Sequence, residues 1–281
     1  MDKKILTLNS TNIATFLECP RKYKYSAEQS LVTKNFRSEA MDKGELMHHL
    51  ICRWFELRMA RDKNPLVTIT EEMRLLNGRF NSLEKEDLEF LRQRFFAYTM
   101  FWSDDQAKPL VLNGKVAVEV GFTVKIFEDS DFIFLLEGRL DRVAEQQGIT
   151  FLLDHKTFSR KYDYSHRRPQ FLNYVLGAQL SGLLINKICI DYIGLTQTIN
   201  KETFRRDMFS YPQGTIQEWK QFLIDRVYFP IARGDFYKNR GACAGAWYPC
   251  YFIELCDCPS KRAEEELIQL KYEKREQHRS W

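Results

Sequence analysis

Two β-rich runs meet at Gln146-Gln147-Gly148-Ile149, and Gln147-Gly148 has the form of a two-residue hairpin loop, the tightest common way for a strand to reverse. Such a loop sets the register of everything before and after it. With Gln146 opposed to Ile149, the same register places Asp141 opposite Asp154. Opposed side chains of an antiparallel pair have Cβ atoms about 4.5–5.5 Å apart, so two carboxylates there come within reach of one divalent cation, and without a cation they repel. Side chains alternate along a strand, so Lys156 shares the face of Asp154 and His155 points the other way, which argues against a metal role for His155. An acid and an ammonium two residues apart at the end of Phe151-Leu152-Leu153 are, taken alone, most often an ordinary surface ion pair. The acid opposite raises the stakes.

The rest of the pattern predicts an α/β chain. Ser10-Thr11-Asn12 reads as the cap of a short helix ending near Cys19-Pro20, and a second helix covers about 41–61. Residues 70–104 have charged and apolar residues at helical spacing, so 62–115 reads as a mainly helical insertion. Strands are predicted over 116–124, 132–143, 149–157 and 188–195, with a helix over 169–185 and another over 216–232. No repeat or linker divides residues 1–281, so a single domain with a mixed sheet flanked by helices is expected. No apolar run is long enough for a membrane span and no apolar leader follows Met1, which points to a soluble, intracellular protein. A net charge of +4 is too small to argue for nucleic acid.

Cysteine placement is the second constellation. Cys243, Cys250, Cys256 and Cys258 crowd the end of the chain and Cys19 stands near its start, whereas Cys52 and Cys189 lie in apolar contexts and read as buried thiols. Clustered cysteines in a reducing compartment point to metal rather than disulfide. From spacing alone, zinc and an iron-sulfur cluster are equally open.

These motifs resemble a known family. Gly138-Arg139-Leu140-Asp141-Arg142-Val143 followed by Leu152-Leu153-Asp154-His155-Lys156-Thr157 resembles the PD-(D/E)XK nuclease superfamily in its RecB-like form, whose fold is restriction-endonuclease-like. Gly44-Glu45-Leu46-Met47-His48 looks like that family's GxxxH helix and Gln170-Phe171-Leu172-Asn173-Tyr174 like its QxxxY helix. The resemblance implies metal ligands at His48, Asp141 and Asp154, with Asp141, Asp154, Lys156, Gln170 and Tyr174 in the catalytic set. Judged without the family, His48 among Leu46, Met47, Leu50 and Ile51 is a plain core or surface histidine, and Tyr174 could equally be core. Glu119 falls where the family often has an acid and reads as a supporting residue rather than a ligand.

Cys19-Pro20-Arg21-Lys22-Tyr23 looks like the N-terminal motif of iron-sulfur RecB-like nucleases, of the AddB and CRISPR spacer-acquisition types. That implies a 4Fe-4S cluster on Cys19, Cys243, Cys250 and Cys256, with Cys258 as the alternate and Zn²⁺ as the alternative metal. Tying Cys19 to Cys243 would staple the two ends of the chain, a constraint worth about 4–5 kcal/mol by loop-closure entropy. The implied activity is metal-dependent hydrolysis of DNA with Mn²⁺ or Mg²⁺, a histidine ligand favouring Mn²⁺, as an exonuclease on ends or single strands. The alternative is a non-cleaving DNA-binding or scaffold subunit of a recombination, repair or CRISPR adaptation complex. A helicase or recombination partner and the cytoplasm of a bacterial or phage-infected cell follow from the same resemblance. Arg21-Lys22-Tyr23-Lys24-Tyr25, Arg160-Lys161-Tyr162 and His166-Arg167-Arg168 mix cations with aromatics and are the expected tracks for phosphates and unpaired bases.

Overall fold

Asn9 and Asn12 cap each other across the start of the first helix, each side chain accepting from the other's backbone N–H, so the cap lies one residue before the expected Ser10. The computed structural model describes residues 3–34, 39–75, 80, 82–159, 168–200, 202–244 and 249–275. In chain order these form β1 (Lys4–Leu8), α1 (Ser10–Glu18), α2 (Pro20–Tyr23), β2 (Leu31–Thr33), α3 (Glu39–Met59), α4 (Pro65–Leu75) and α5 (Lys85–Phe101). Next come β3 (Lys108–Pro109), β4 (Val111–Leu112), β5 (Lys115–Val116), β6 (Val118–Glu128), β7 (Phe132–Gln146) and β8 (Ile149–Phe158). The chain continues through α6 (Pro169–Leu180), β9 (Lys187–Gly194), β10 (Phe204–Ser210), α7 (Gln213–Leu223) and α8 (Phe229–Arg233). It closes with α9 (Ile253–Cys256), α10 (Lys261–Lys271) and β11 (Tyr272–Lys274). The stretch expected to be mainly helical, 62–115, holds α4 and α5 and then turns into the short strands β3 to β5.

Two units divide these elements: Met1–Phe36 with Lys125–Glu137 and Gln217–Trp281, and Arg37–Val124 with Gly138–Ile216. In the second unit, β7, β8, β9 and β10 lie side by side, β7 antiparallel to β8, β8 parallel to β9, and β9 antiparallel to β10. This is a mixed sheet with helices against it, as the strand and helix order implied. Gln147 and Gly148 both take left-handed backbone conformations, φ +52° and +77°, which the two-residue loop requires and which Gly148 adopts without steric cost. The β7–β8 ladder has the expected register, from Gln146 opposite Ile149 to Arg142 opposite Leu153, and ends there, one step short of Asp141 and Asp154. The core over this sheet is apolar and comes largely from the helices: Leu46, Met47, Leu50, Ile51, Trp54 and Phe55 of α3 meet Leu91, Phe95 and Tyr98 of α5. Burial of that α3 face sets where His48, on the same helix, stands.

In the first unit, β1 runs parallel to the first residues of β7, from Lys4 beside Phe132 to Leu8 beside Leu136. Tyr228 stacks on Phe134 at 5.0 Å and donates its hydroxyl to the carbonyl of Leu135 at 2.6 Å. A smaller cluster of Tyr25, Leu31, Phe252, Leu255 and Tyr272 joins the N-terminal segment to the C-terminal one, with β11 antiparallel to β2. Among the described residues no helix is long and apolar enough to cross a membrane.

Candidate active site

His48, Glu119 and Asp141 converge. One ligand atom from each lies within 4.8 Å of the others, and among the described residues no other three His, Cys, Asp or Glu side chains meet at that spacing. His48 reaches the site from α3, its Nδ1 3.3 Å from Asp141 Oδ2. Glu119 reaches it from the start of β6, where φ of +50° turns the strand, and its carboxylate pairs with Arg139 Nε at 2.7 Å. The same Oδ2 of Asp141 accepts the backbone N–H of His155 at 2.8 Å, so β8 grips the acid at the point where the β7–β8 ladder stops.

Beside this group, Asp154 is 98 % buried on its side chain, and Lys156 Nζ stands 2.5 Å from its Oδ2. Asp154 Oδ1 is buried with no hydrogen-bond partner among the described residues. A carboxylate oxygen left bare in the interior is costly unless something compensates it, and a cation does so. Burial pushes the Asp154 carboxyl up to about 6, and Asp141 adds to the rise while Lys156 opposes it. Asp141 shows the opposite balance: burial works against its charge, yet His48, His155 and Lys156 together hold it well below the usual carboxylate range. Neighbouring acids whose protonation is pushed in opposite directions are common where a cation or a proton is handled, and also occur in structural ion-pair networks. Glu119 is raised, by burial and then by Asp141.

Of the residues expected from the sequence, the structure brings His48 to Asp141 and Lys156 to Asp154, and the acids are close enough to influence each other. Asp154 is not among the three that meet at 4.8 Å; Glu119, read from sequence as a supporting residue, is. The signal for Glu119 was its left-handed conformation, which no single-sequence pattern reveals. On α6, Gln170 Nε2 donates to the Tyr174 hydroxyl at 2.9 Å, and Lys156 Nζ stands 5.5 Å from the centre of the Phe171 ring. Burial, with Asp154 and Asp141, pushes the Tyr174 hydroxyl far up, so it stays protonated.

A second polar assembly, with almost no local sequence signature, lies within the same unit. Asp191 in β9 accepts the Tyr98 hydroxyl at 2.6 Å and Arg206 Nε at 3.1 Å, and lies 2.9 Å from His155 Nδ1. Arg206 forks onto Asp105 at 2.7 and 2.9 Å, and Asp105 also meets the fully buried Arg142 at 3.4 Å. The hint was Asp191 itself, an acid inside the apolar run Ile188-Cys189-Ile190-Asp191-Tyr192-Ile193.

In the first unit, Cys19, Cys243, Cys250 and Cys256 line one cavity together with Lys22, Lys238, Asn239 and Arg240; Cys258 is not part of its lining. Hydrogen bonds bring the ends together there: Asn239 Nδ2 donates to the Glu18 carbonyl at 2.7 Å, the Arg21 N–H to Tyr237 at 3.1 Å and the Cys250 N–H to Cys243 at 2.9 Å. Lys238 Nζ donates to the Cys256 carbonyl. Burial raises the Cys256 thiol to about 11, with Cys250 adding to the rise. One expectation for this segment fails. Tyr23 and Tyr25 are core residues, Tyr23 packed on Phe16 and Phe236 and Tyr25 on Phe252, so neither presents a face for a base to stack on. Residues 160–167 of the other basic segments lie outside the described residues.

No curated protein matches the chain. Among solved structures, one titled "Crystal structure of SSO0001" aligns with 11 % identity and a TM-score of 0.37, over 80 % of this chain and 78 % of that one. The model of the PD-(D/E)XK nuclease superfamily matches residues 7–257, nearly the whole length, and the chain therefore belongs to that superfamily.

Proposed function

We propose that the protein is a metal-dependent DNA nuclease acting on ends or single strands, with the site formed by His48, Glu119, Asp141, Asp154 and Lys156. The single observation that carries this reading is the bare, buried Oδ1 of Asp154 beside the group of one imidazole and two carboxylates. That donor set suits a divalent ion, and the imidazole favours Mn²⁺ over Mg²⁺, which prefers all-oxygen ligands. Asp141, Asp154 and His48 would hold the ion, with Glu119 completing the set. Such an ion, when bound, polarises a phosphate and lowers the pKa of a water. Lys156, paired with Asp154, would orient that water or neutralise charge growing on the phosphate. Gln170 and Tyr174, tied to each other, present an amide and a phenol from α6 for the substrate backbone.

The cysteine cavity is read as the seat of a 4Fe-4S cluster on Cys19, Cys243, Cys250 and Cys256. What supports it is that the four thiols come from both ends of the chain onto one cavity, and that Cys19-Pro20-Arg21-Lys22-Tyr23 resembles the N-terminal motif of iron-sulfur RecB-like nucleases. Anaerobically purified protein is expected to be brown and to contain iron; colourless protein carrying zinc overturns this part.

The deciding experiment is a time course on end-labelled linear and on circular DNA, single- and double-stranded, with Mn²⁺, for wild type and Lys156→Ala. Shortening of linear DNA from its ends by wild type alone is expected. Equal inertness of both proteins, with DNA binding retained, would instead identify a non-cleaving scaffold subunit.

A further inference from the structure

We infer that His155, locked by Asp191, is a positioning residue that fixes both Asp141 and His48 for the metal; this rests on the nuclease reading above. His155 reaches each of them differently. Its backbone N–H donates to Asp141 Oδ2 at 2.8 Å, and its ring meets the His48 ring edge-on, centroids 5.7 Å apart at 85°. The ring in turn is held from behind. His155, Asp191 and Arg206 occupy one row across β8, β9 and β10, each in register with the next. Asp191 is fully buried and already accepts from Tyr98 and Arg206. An ionised carboxylate can only accept, so the proton of the His155 ring sits on Nδ1 and donates to Asp191 Oδ2 at 2.9 Å. Turning the ring would break that bond where no solvent can replace it. Tyr98 closes the far side, its ring edge-on to His155 at 6.3 Å and 83°. The imidazole is thus a fixed wall against which His48 rests, and the same residue's amide fixes the carboxylate that His48 touches.

Residues that orient metal ligands without touching the metal change metal affinity or activity by roughly 10–100-fold when removed. The test uses the full-length protein stripped of divalent ions. Mn²⁺ affinity is followed by the paramagnetic signal of the free ion, and kcat and KM are measured on end-labelled DNA. His155→Phe keeps an aromatic ring but cannot donate to Asp191, and is expected to weaken Mn²⁺ binding and lower kcat by about 10-fold or more, with KM for DNA unchanged. His155→Gln, whose amide N–H can still donate to Asp191, is expected to recover most of both. A cooperatively melting His155→Phe protein with wild-type Mn²⁺ affinity and kcat overturns the inference. If His155→Phe does not fold, Tyr98→Phe tests the same lock by deleting one hydroxyl: a severalfold loss of Mn²⁺ affinity supports it and unchanged affinity overturns it. Wild-type protein that neither binds Mn²⁺ nor cleaves DNA would bring down the nuclease reading itself, and this inference with it.

Discussion

The acid site and the cysteine cavity both gather side chains of the types that hold metals, and burial pushes Asp154 and Glu119 toward the neutral form as it does Cys256; they differ in how much counter-charge the protein itself supplies. At the acid site the protein supplies its own counter-charges: Lys156 against Asp154, His48 and a backbone amide against Asp141, Arg139 against Glu119. At the cysteine cavity burial drives thiols such as Cys256 toward the neutral form, and a metal must displace their protons to bind. The acid site, compensated from within except at Asp154 Oδ1, would stay folded when empty. If the proposed cluster fills the cysteine cavity, whose thiols come from both ends of the chain, it would double as a cross-link.

The sharpest way to break this contrast is at Asp154. Asp154→Asn should lower activity by about 10²–10³-fold, the loss typical for removing one preorganised electrostatic contact, while leaving the melting temperature at neutral pH at or above that of wild type. Turnover and a thermal melt on the same preparation check it; a variant that both loses activity and unfolds early would mean that the acid holds the structure rather than serving the chemistry. The cysteine cavity should respond the other way. Cys19→Ser, which deletes the one thiol that the N-terminal segment brings to the cavity, is expected to remove a tie worth about 4–5 kcal/mol, read as a lower urea midpoint, whereas chelating the divalent ion should leave that midpoint where it was. Equal sensitivity to both treatments would erase the distinction.

Sequence and structure part company along a physical line. The hairpin at Gln147-Gly148 was legible because a two-residue loop with glycine leaves one register, which aligns Asp141 with Asp154; that these residues and Lys156 form a site is read from the family's motifs. His48 was legible only through the family's helix motif, since its neighbours are those of any core helix. Glu119 was under-read because a residue's backbone conformation, not its type, aims it into the site. The aromatics after Cys19 were misread because a tyrosine's sequence neighbours do not say whether its ring faces core or solvent; Tyr23 and Tyr25 face the core. The row His155–Asp191–Arg206 joins three strands, and such cross-strand contacts have no local signature beyond an acid in an apolar run.

A pH series refines the acid side of the comparison. The folded Asp154 carboxyl titrates at about 6, above its unfolded value, so its contribution to stability is fully present below the unfolded pKa and is lost as pH rises through about 6. Asp154→Asn has no such loss. Its stability relative to wild type, from urea melts in metal-free buffer, is therefore expected to grow between about pH 4 and 7 and level off above. A constant difference over that range would mean that Lys156 fully offsets the burial of the charge.

The smallest effect concerns how α6 is held near the acids. The Phe122 ring of β6 fills the space that a side chain would need at two glycines: a Cβ on Gly177 would lie 2.2 Å from Phe122 Cε2, and one on Gly138 2.6 Å from Cζ. Both distances are far inside contact, so ring or helix must move. Gly177→Ala is expected to cost about 1–3 kcal/mol, the range for overpacking a tight interior. Because α6 carries Phe171 near Lys156 and the Gln170–Tyr174 pair, displacement should also lower kcat severalfold. Phe122→Leu shortens the intruding ring, and in the Gly177→Ala background it should restore part of both quantities, which a double-mutant cycle measures directly. Additive losses would show that the ring and the glycine act independently and that α6 is held by its other contacts.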